Sequence, residues 1–117
     1  MEQILIEQRE LLLVPFPFSD QSGKKVRPVI VVSNNNFNKH SEDVIVIGVT
    51  SNMAKDIYTI ELNTEDLEEG NLFDICCVKV ENILKLDKQL IIKKMGKVKK
   101  WRFKEIILKL DSILEMQ

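Results

Sequence analysis

The residues that best suit phosphate chemistry lie near the start of the chain. Arg27 precedes Pro28, and the polar, glycine-containing stretch just before it carries Ser19, Lys24 and Lys25. A guanidinium keeps its charge at any working pH and can donate two hydrogen bonds to one phosphate. Hydroxyl and ammonium groups in the same stretch add further donors. This combination of residue types predicts a site for a phosphate group around Arg27.

A second group of donors ends an apolar run further along the chain. Thr50 and Ser51 follow the segment VIVIGV, and their hydroxyls also suit a phosphate. Hydroxyls at the end of a strand commonly cap backbone groups instead. Arg27 likewise has two carboxylates nearby in sequence, Asp20 and Glu10, with which a surface arginine would pair. Spacing alone therefore leaves ordinary structural roles open for both groups.

Apolar runs separated by turn-forming residues predict the elements that position these groups. Short runs of this kind favour strands over helices. Pro28 cannot donate to a ladder of hydrogen bonds, so it belongs at the start of its strand or on an edge. The predicted strands are residues 10–16, 26–33, 44–49, 57–62, 75–83 and 89–98; the predicted polar loops and turns are 34–41 and 63–74, with one helical turn near 86–88 and a turn of the chain at Gly96.

The last part of the chain has the periodicity of a helix, over residues 100–116. One arc carries the apolar side chains expected to face the core: Phe103, Ile106, Ile107, Leu110, Ile113 and Leu114. Trp101 and Leu108 fall on the opposite side, where we expect them to lie under a loop rather than to form a partner surface. The pattern predicts a mainly β fold with a C-terminal helix (α+β), in which helices pack at one side of a small, strongly curved sheet or SH3-like barrel. We expect a single domain spanning residues 1–117.

Composition excludes several classes of protein. The chain has 117 residues, 44% hydrophobic and 30% charged, as an ordinary globular domain has. No apolar run approaches the roughly 20 residues that span a bilayer, and the acidic start does not resemble a signal peptide, so we expect a cytoplasmic protein. Neighbouring Cys76 and Cys77 would point to opposite faces of a strand, which makes a disulfide between them implausible. Together with His40 they make no convincing zinc site, and we expect no metal or other cofactor.

Charge is unevenly distributed along a chain whose net charge is only −1. Residues 85–104 contain nine lysines and arginines against one acidic residue, and residues 61–74 contain six acidic residues. Such a two-signed molecule could hold an anionic ligand on one face. The alternative is that both runs are solvated surfaces.

Three segments in a fixed order resemble the MazF/PemK family of toxin endoribonucleases: FPFSD, then KKVRPVIVVS, then VIVIGVTS. Further along, ICCVKVENILKLDKQLIIKKMGKV resembles that family's later strand, short helix and last strand. The resemblance implies the toxin of a type II toxin–antitoxin pair, which inhibits growth by cleaving single-stranded RNA, including mRNA, without a metal. Attack by the 2′-hydroxyl would give a 2′,3′-cyclic phosphate and a 5′-hydroxyl. It also implies a homodimer, and a partly disordered antitoxin that lies across the RNA groove.

The resemblance assigns roles to residues of this chain. Arg27 takes the place of the family's arginine before proline, which acts in proton transfer and on the phosphate. Thr50 takes the place of the threonine that stabilises the charged intermediate, and Ser51 lies beside it. The residues implied to contact RNA are Ser19, Lys24 and Lys25 in a gating loop, together with Ser51, Lys79 and Glu81.

Departures from the family pattern keep a second hypothesis open. The first strand begins with Arg9 and Glu10 where Gly-Asp is usual, and Lys79 and Glu81 stand where some members carry Arg and Asp. The same fold could therefore serve as a non-catalytic module that binds nucleic acid or protein. A DNA-binding regulator is disfavoured, because no helix-turn-helix pattern precedes the single C-terminal helix.

Overall fold

The computed structural model describes residues 4–15, 26–52, 56–72 and 74–117. Within these residues one antiparallel sheet accounts for every strand. The strands are β1 (Glu10–Pro15), β2 (Val26–Val31), β3 (Asp43–Thr50), β4 (Thr59–Leu62), β5 (Leu67–Gly70), β6 (Cys76–Asp87) and β7 (Lys93–Val98), and the helices are α1 (Asn35–His40) and α2 (Lys100–Ile113). The order across the sheet is β4-β6-β3-β2-β1-β7-β5. This confirms the predicted fold class, with a curled sheet and a C-terminal helix.

Both faces of the sheet are buried, because two separate apolar clusters cover them. On one face Phe103 and Ile106 of α2 pack against residues such as Val78 and Val80 of β6. On the other face, Ile6 of the N-terminal segment packs against the alternate residues of β1, β2 and β3. The strands therefore have few polar positions in their centres, which explains the lack of alternation in VIVIGV.

The helix α2 confirms most of the predicted core-facing arc. Phe103 and Ile106 are buried, but Leu114 lies beyond the last helical residue and is 67% exposed. Trp101 and Leu108 are 54% and 58% exposed, so the expectation that a loop covers them is wrong. The Trp101 ring instead stacks against the Arg102 guanidinium, 4.6 Å from the ring centroid.

Two segments predicted as loops form regular structure. Residues 35–40 form the short helix α1, because the Asn34 side chain accepts a hydrogen bond from the Phe37 N–H and so caps the helix start. Residues 67–70 form the edge strand β5, which pairs with β7. Neither segment carries an apolar run, so local pattern does not reveal them.

The last two strands also differ from expectation. β6 continues to Asp87, and a 3-10 turn follows at Lys88–Leu90. Gly96 does not turn the chain but lies within β7, paired with Leu11 on one side and with Gly70 on the other. A Cβ atom on Gly96 would lie 2.3 Å from the Glu69 carbonyl oxygen, so glycine is required there for the close approach of β5.

Candidate active site

Arg27 and Thr50 lie at the same end of two neighbouring strands, just beyond the last recorded pair of their ladder. In the ladder between β2 and β3, Val29 pairs with Gly48. Arg27 lies two residues before Val29 and Thr50 two residues after Gly48, at the same end of the strand pair. Opposed residues and residues two apart share a face of a sheet, so both side chains are on one face. The topology therefore brings together the two residues that the sequence places 23 positions apart.

The Thr50 hydroxyl has a defined orientation. Its oxygen accepts a hydrogen bond of 3.1 Å from the Asn52 N–H, just beyond the end of β3. This is the capping role that strand-end hydroxyls often have. Because that bond uses the oxygen as an acceptor, the O–H proton remains available as a donor. Thr50 is half-buried and Ser51 is exposed, so the two hydroxyls lie in different surroundings.

Among the described residues, the Arg27 guanidinium has no carboxylate within 4.0 Å. The pairing with Glu10 that spacing allowed is not formed. Glu10 is buried and instead accepts a 2.6 Å hydrogen bond from the Glu7 N–H, while its other oxygen lies 3.1 Å from the Lys94 ammonium. Asp20 lies outside the described residues. In the part of the chain that is described, the Arg27 charge is therefore available to an anion.

Lys79 and Glu81 lie where β6 breaks its register with β3. Ile47 pairs with Ile83 and Val49 with Val78, so Gly48 alone faces the four residues 79–82. Cys77 pairs with Thr50, and Lys79 lies two residues further along β6, which places Lys79 on the same face as Thr50. The bulge therefore sets Lys79 beside the Arg27–Thr50 pair.

The Lys79 ammonium and the Glu81 carboxylate are 3.4 Å apart, with side chains 30% and 39% exposed. The two predicted RNA contacts therefore form an ion pair with each other. Such partly exposed pairs contribute little, typically below about 1 kcal/mol, so a phosphate could displace Glu81 from Lys79. The remaining predicted contacts, Ser19, Lys24 and Lys25, lie outside the described residues.

The basic run of residues 85–104 is largely engaged within the molecule. Lys88 is buried and donates to the Asn38 carbonyl oxygen. The ion pairs of the run join Lys85 to Asp43, Lys94 to Glu10, Lys97 to Glu7, and Arg102 to both Asp66 and Glu105, with N–O distances of 2.7–3.9 Å. Five of its nine basic residues are thus held by internal partners, and the run does not act as one continuous anion-binding surface.

Cys76 and Cys77 are both buried and form no disulfide, and the ladder places them on opposite faces of β6. Burial raises the pKa of the Cys76 thiol, with the Asp74 charge as a smaller cause. Over the described ranges, no three His, Cys, Asp or Glu side chains meet as they would around a metal ion. None of the described helices is long and apolar enough to cross a membrane.

The chain has the sequence and fold of a known toxin family. Residues 7–114 match the model of the PemK-like, MazF-like toxins of type II toxin–antitoxin systems. The chain belongs to this family. A comparison with curated proteins found no significant match.

Solved structures of MazF-type proteins share the fold at low sequence identity. A chain from a MazE–MazF complex of Deinococcus radiodurans has a TM-score of 0.78 and 20% identity, covering 97% of this chain and 100% of that one. An endoribonuclease from a mycobacterial species has a TM-score of 0.76 and 19% identity, covering 97% and 94%. Another mycobacterial endoribonuclease, in complex with its cognate antitoxin, has a TM-score of 0.75 and 18% identity, covering 98% of each chain.

The structure explains one departure of this PemK/MazF-like chain from the family pattern. Arg9 has a φ of 79°, a left-handed conformation that favours glycine, the residue usual there. Its backbone is held on both sides, because its N–H donates to Val31 O and its carbonyl accepts from the Val98 N–H, both at 2.9 Å. Its guanidinium donates to Glu68 at 2.8 Å and to Val98 O at 2.7 Å. The side chain thus adds bonds that a glycine lacks, and the hydrogen bond from Arg9 lowers the pKa of Glu68.

Sequence reasoning missed two features of the site. The first is that Gly48 faces the bulge of β6. The second is that Glu61 of β4 pairs with Cys77 of β6, which puts Glu61 on the same face as Thr50. The alternation in IYTIEL does place Thr59 and Glu61 on one face of their strand. Which strand lies beside β4 is a long-range fact that this alternation does not contain.

Proposed function

We propose that this PemK/MazF-like toxin is an endoribonuclease that cleaves single-stranded RNA, including mRNA, without a metal. The observation that carries the proposal is the placement of Arg27 and Thr50 at the same end and face of the β2–β3 pair, with Lys79 beside them. Arg27 would donate to the non-bridging oxygens of the scissile phosphate, and Thr50 would donate its O–H proton. Two fixed donors on one rigid sheet are suited to a pentacoordinate phosphorus, which carries more negative charge than the substrate.

The reaction would be an internal transesterification. The 2′-oxygen of the nucleotide before the scissile bond attacks phosphorus, and the bond from phosphorus to the 5′-oxygen breaks. The attacking hydroxyl loses its proton and the departing 5′-oxygen gains one, so the products are a 2′,3′-cyclic phosphate and a 5′-hydroxyl. A guanidinium stays protonated in proteins. We therefore assign Arg27 to charge stabilisation rather than to removal of the 2′-proton.

This mechanism is tested by substrate chemistry. Purified protein is incubated in EDTA with a single-stranded RNA and with the same strand carrying 2′-deoxyribose throughout. The proposal predicts cleavage of the RNA alone, with cyclic phosphate ends that a 3′-phosphatase cannot remove until acid opens the ring. Cleavage of the deoxy strand, or a requirement for added metal, would contradict the proposed attack by the 2′-hydroxyl.

We also propose that the toxin acts in the cytoplasm as a homodimer and is neutralised by an antitoxin segment. Related complexes support the partner: one similar structure is an endoribonuclease with its cognate antitoxin, and another is a MazE–MazF complex. A segment that covers the Arg27 site would need acidic groups to replace the phosphates. Size-exclusion chromatography with light scattering tests the dimer, and protection of RNA by the co-expressed antitoxin tests the partner.

A second candidate function is a non-catalytic module that binds RNA or protein. One observation favours it: Lys79 is already paired with Glu81, which leaves one cation fewer for the phosphate. The substrate experiment separates the two functions, because a binding module would bind the RNA and leave it intact.

A further inference from the structure

A groove of about 500 Å³ lies between the edge strand β4 and the helix α2. Thr59 and Glu61 line it from the strand, and Leu108, Lys109 and Ser112 line it from the helix. Arg102 and Glu105 line it as well, and the helix residues Arg102, Glu105, Lys109 and Ser112 follow one another at spacings of three, four and three, so they share one face of α2. The groove is large enough for a nucleobase and its sugar.

The groove lies at the β4 edge of the sheet, between the face that carries the candidate active site and the opposite face, on which α2 packs. Thr50 of β3 pairs with Cys77 of β6, and Cys77 in turn pairs with Glu61 of β4. Directly opposed residues share a face, so Glu61 lies on the face of Thr50, two strands away. Two strand spacings amount to about 10 Å. Lys79, two residues after Cys77 on the same face of β6, likewise pairs with Thr59 of β4. An extended strand bound at Thr50 would reach the groove within a few nucleotides.

The groove lining offers complementary chemistry for a nucleotide. Lys109 has no carboxylate within 4.0 Å among the described residues, so its ammonium is available to a phosphate. The Leu108 side chain is exposed and could contact the flat face of a base. The Glu61 carboxylate can accept a hydrogen bond from an exocyclic amino group, as carboxylates do from cytosine N4. Arg102 and Glu105, which also line the groove, are paired with each other at 2.7 Å, and the Arg102 Nε lies 3.2 Å from an Asp66 carboxylate oxygen.

We propose that the groove between β4 and α2 is a subsite for a nucleotide of the RNA strand that flanks the scissile phosphate. Lys109 holds its phosphate, and Glu61 selects a base that carries an amino group over uracil. The inference rests on the proposed function, because it takes single-stranded RNA as the ligand. It adds a binding site and a specificity-determining residue on elements that the reaction itself does not use.

Binding to an uncleavable strand tests the subsite separately from catalysis. Fluorescence anisotropy measures the binding of two RNAs, each with 2′-deoxyribose at the scissile position. One is a trinucleotide and the other is a strand of about ten nucleotides. Lys109→Gln should weaken binding of the longer strand about tenfold and lower its salt dependence by about one phosphate contact. Binding of the trinucleotide should not change. Glu61→Gln should reduce the preference for an amino-bearing base at one flanking position about tenfold, because an amide both donates and accepts.

A matched control separates the subsite from general charge. Lys93→Gln removes an exposed lysine from β7, five strands away from β4 in the sheet, and should leave binding of both strands unchanged. The subsite is overturned if Lys109→Gln weakens the binding of both RNAs equally or of neither. It is also overturned if Glu61→Gln leaves the base preference unchanged, or if the wild type binds neither RNA. Binding that follows the prediction without cleavage of an all-ribose strand would instead refute the proposed reaction and leave the subsite standing.

Discussion

Substitutions at Arg9 separate two opposing contributions to the free energy of unfolding, the cost of its backbone conformation and the stabilisation by its side chain. The left-handed conformation at φ 79° costs a residue with a side chain roughly 1–2 kcal/mol. Against this, the guanidinium donates one hydrogen bond to Val98 O and forms an ion pair with Glu68. Arg9→Ala keeps the backbone cost and loses both bonds, whereas Arg9→Gly loses the bonds but also removes the cost.

The structure sets the expected magnitudes. The hydrogen bond to Val98 O contributes about 1 kcal/mol. The ion pair contributes about 0.5 kcal/mol after discounting for solvent, since the Glu68 side chain is 39% exposed. We therefore expect Arg9→Ala to lower the free energy of unfolding by about 1.5 kcal/mol. Arg9→Gly should be about 1 kcal/mol more stable than Arg9→Ala, because glycine adopts positive φ without steric cost.

Urea unfolding followed by circular dichroism measures these differences. The pH dependence adds a second test, because the hydrogen bond from Arg9 lowers the pKa of Glu68 in the folded protein. A lowered carboxyl pKa gives stability that is present above the ordinary glutamate range and is lost as the pH falls through the folded value. The gap between wild type and Arg9→Ala should therefore narrow in acid. If Arg9→Gly is no more stable than Arg9→Ala, the backbone at residue 9 is not left-handed and the reasoning fails.

Three further predictions test the packing and the site. Gly96→Ala should lower the free energy of unfolding by about 2–3 kcal/mol, because its methyl group would lie 2.3 Å from the Glu69 carbonyl oxygen. An unchanged free energy of unfolding in urea would refute the close approach of β5 and β7. Ile106→Ala should cost about 3 kcal/mol and Leu114→Ala under about 0.5, a contrast that equal losses in the same assay would contradict. Glu81→Gln should raise RNA affinity a few-fold, because it releases Lys79 from their ion pair. The affinity is measured at low salt, with Lys79→Gln as the comparison variant. An unchanged affinity of Glu81→Gln would show that the ion pair does not compete with RNA.

Local pattern was sufficient for the elements that carry their own apolar runs. The central strands β1, β2, β3 and β6 and the helix α2 have cores that their periodicity reveals. The edge strand β5 reads LEEG and exists because Gly96 lets β7 approach it, which is a contact between distant segments. The helix α1 depends on one capping side chain in a stretch of polar residues.

The part of the candidate site that lies on strands with their own apolar runs could be predicted from the sequence. Arg27 and Thr50 stand at the ends of strands that local pattern identifies, and the antiparallel pairing of β2 and β3 brings them to the same end and face of the strand pair. The place of Lys79 depends on a break of register opposite Gly48, and its pairing with Glu81 depends on side-chain geometry. The internal partners of the basic run are mostly far away in sequence, so composition could not distinguish an anion-binding surface from a set of ion pairs.

The central claim is that Arg27 and Thr50 together stabilise the charge that builds up on the scissile phosphate. Its most direct test is the single-turnover rate of RNA cleavage in EDTA for the wild type, Arg27→Ala and Thr50→Ala, with urea unfolding to confirm that each variant is folded. We predict that each substitution lowers the rate about 10²–10³-fold. A folded Arg27→Ala variant that cleaves RNA at the wild-type rate would contradict the account.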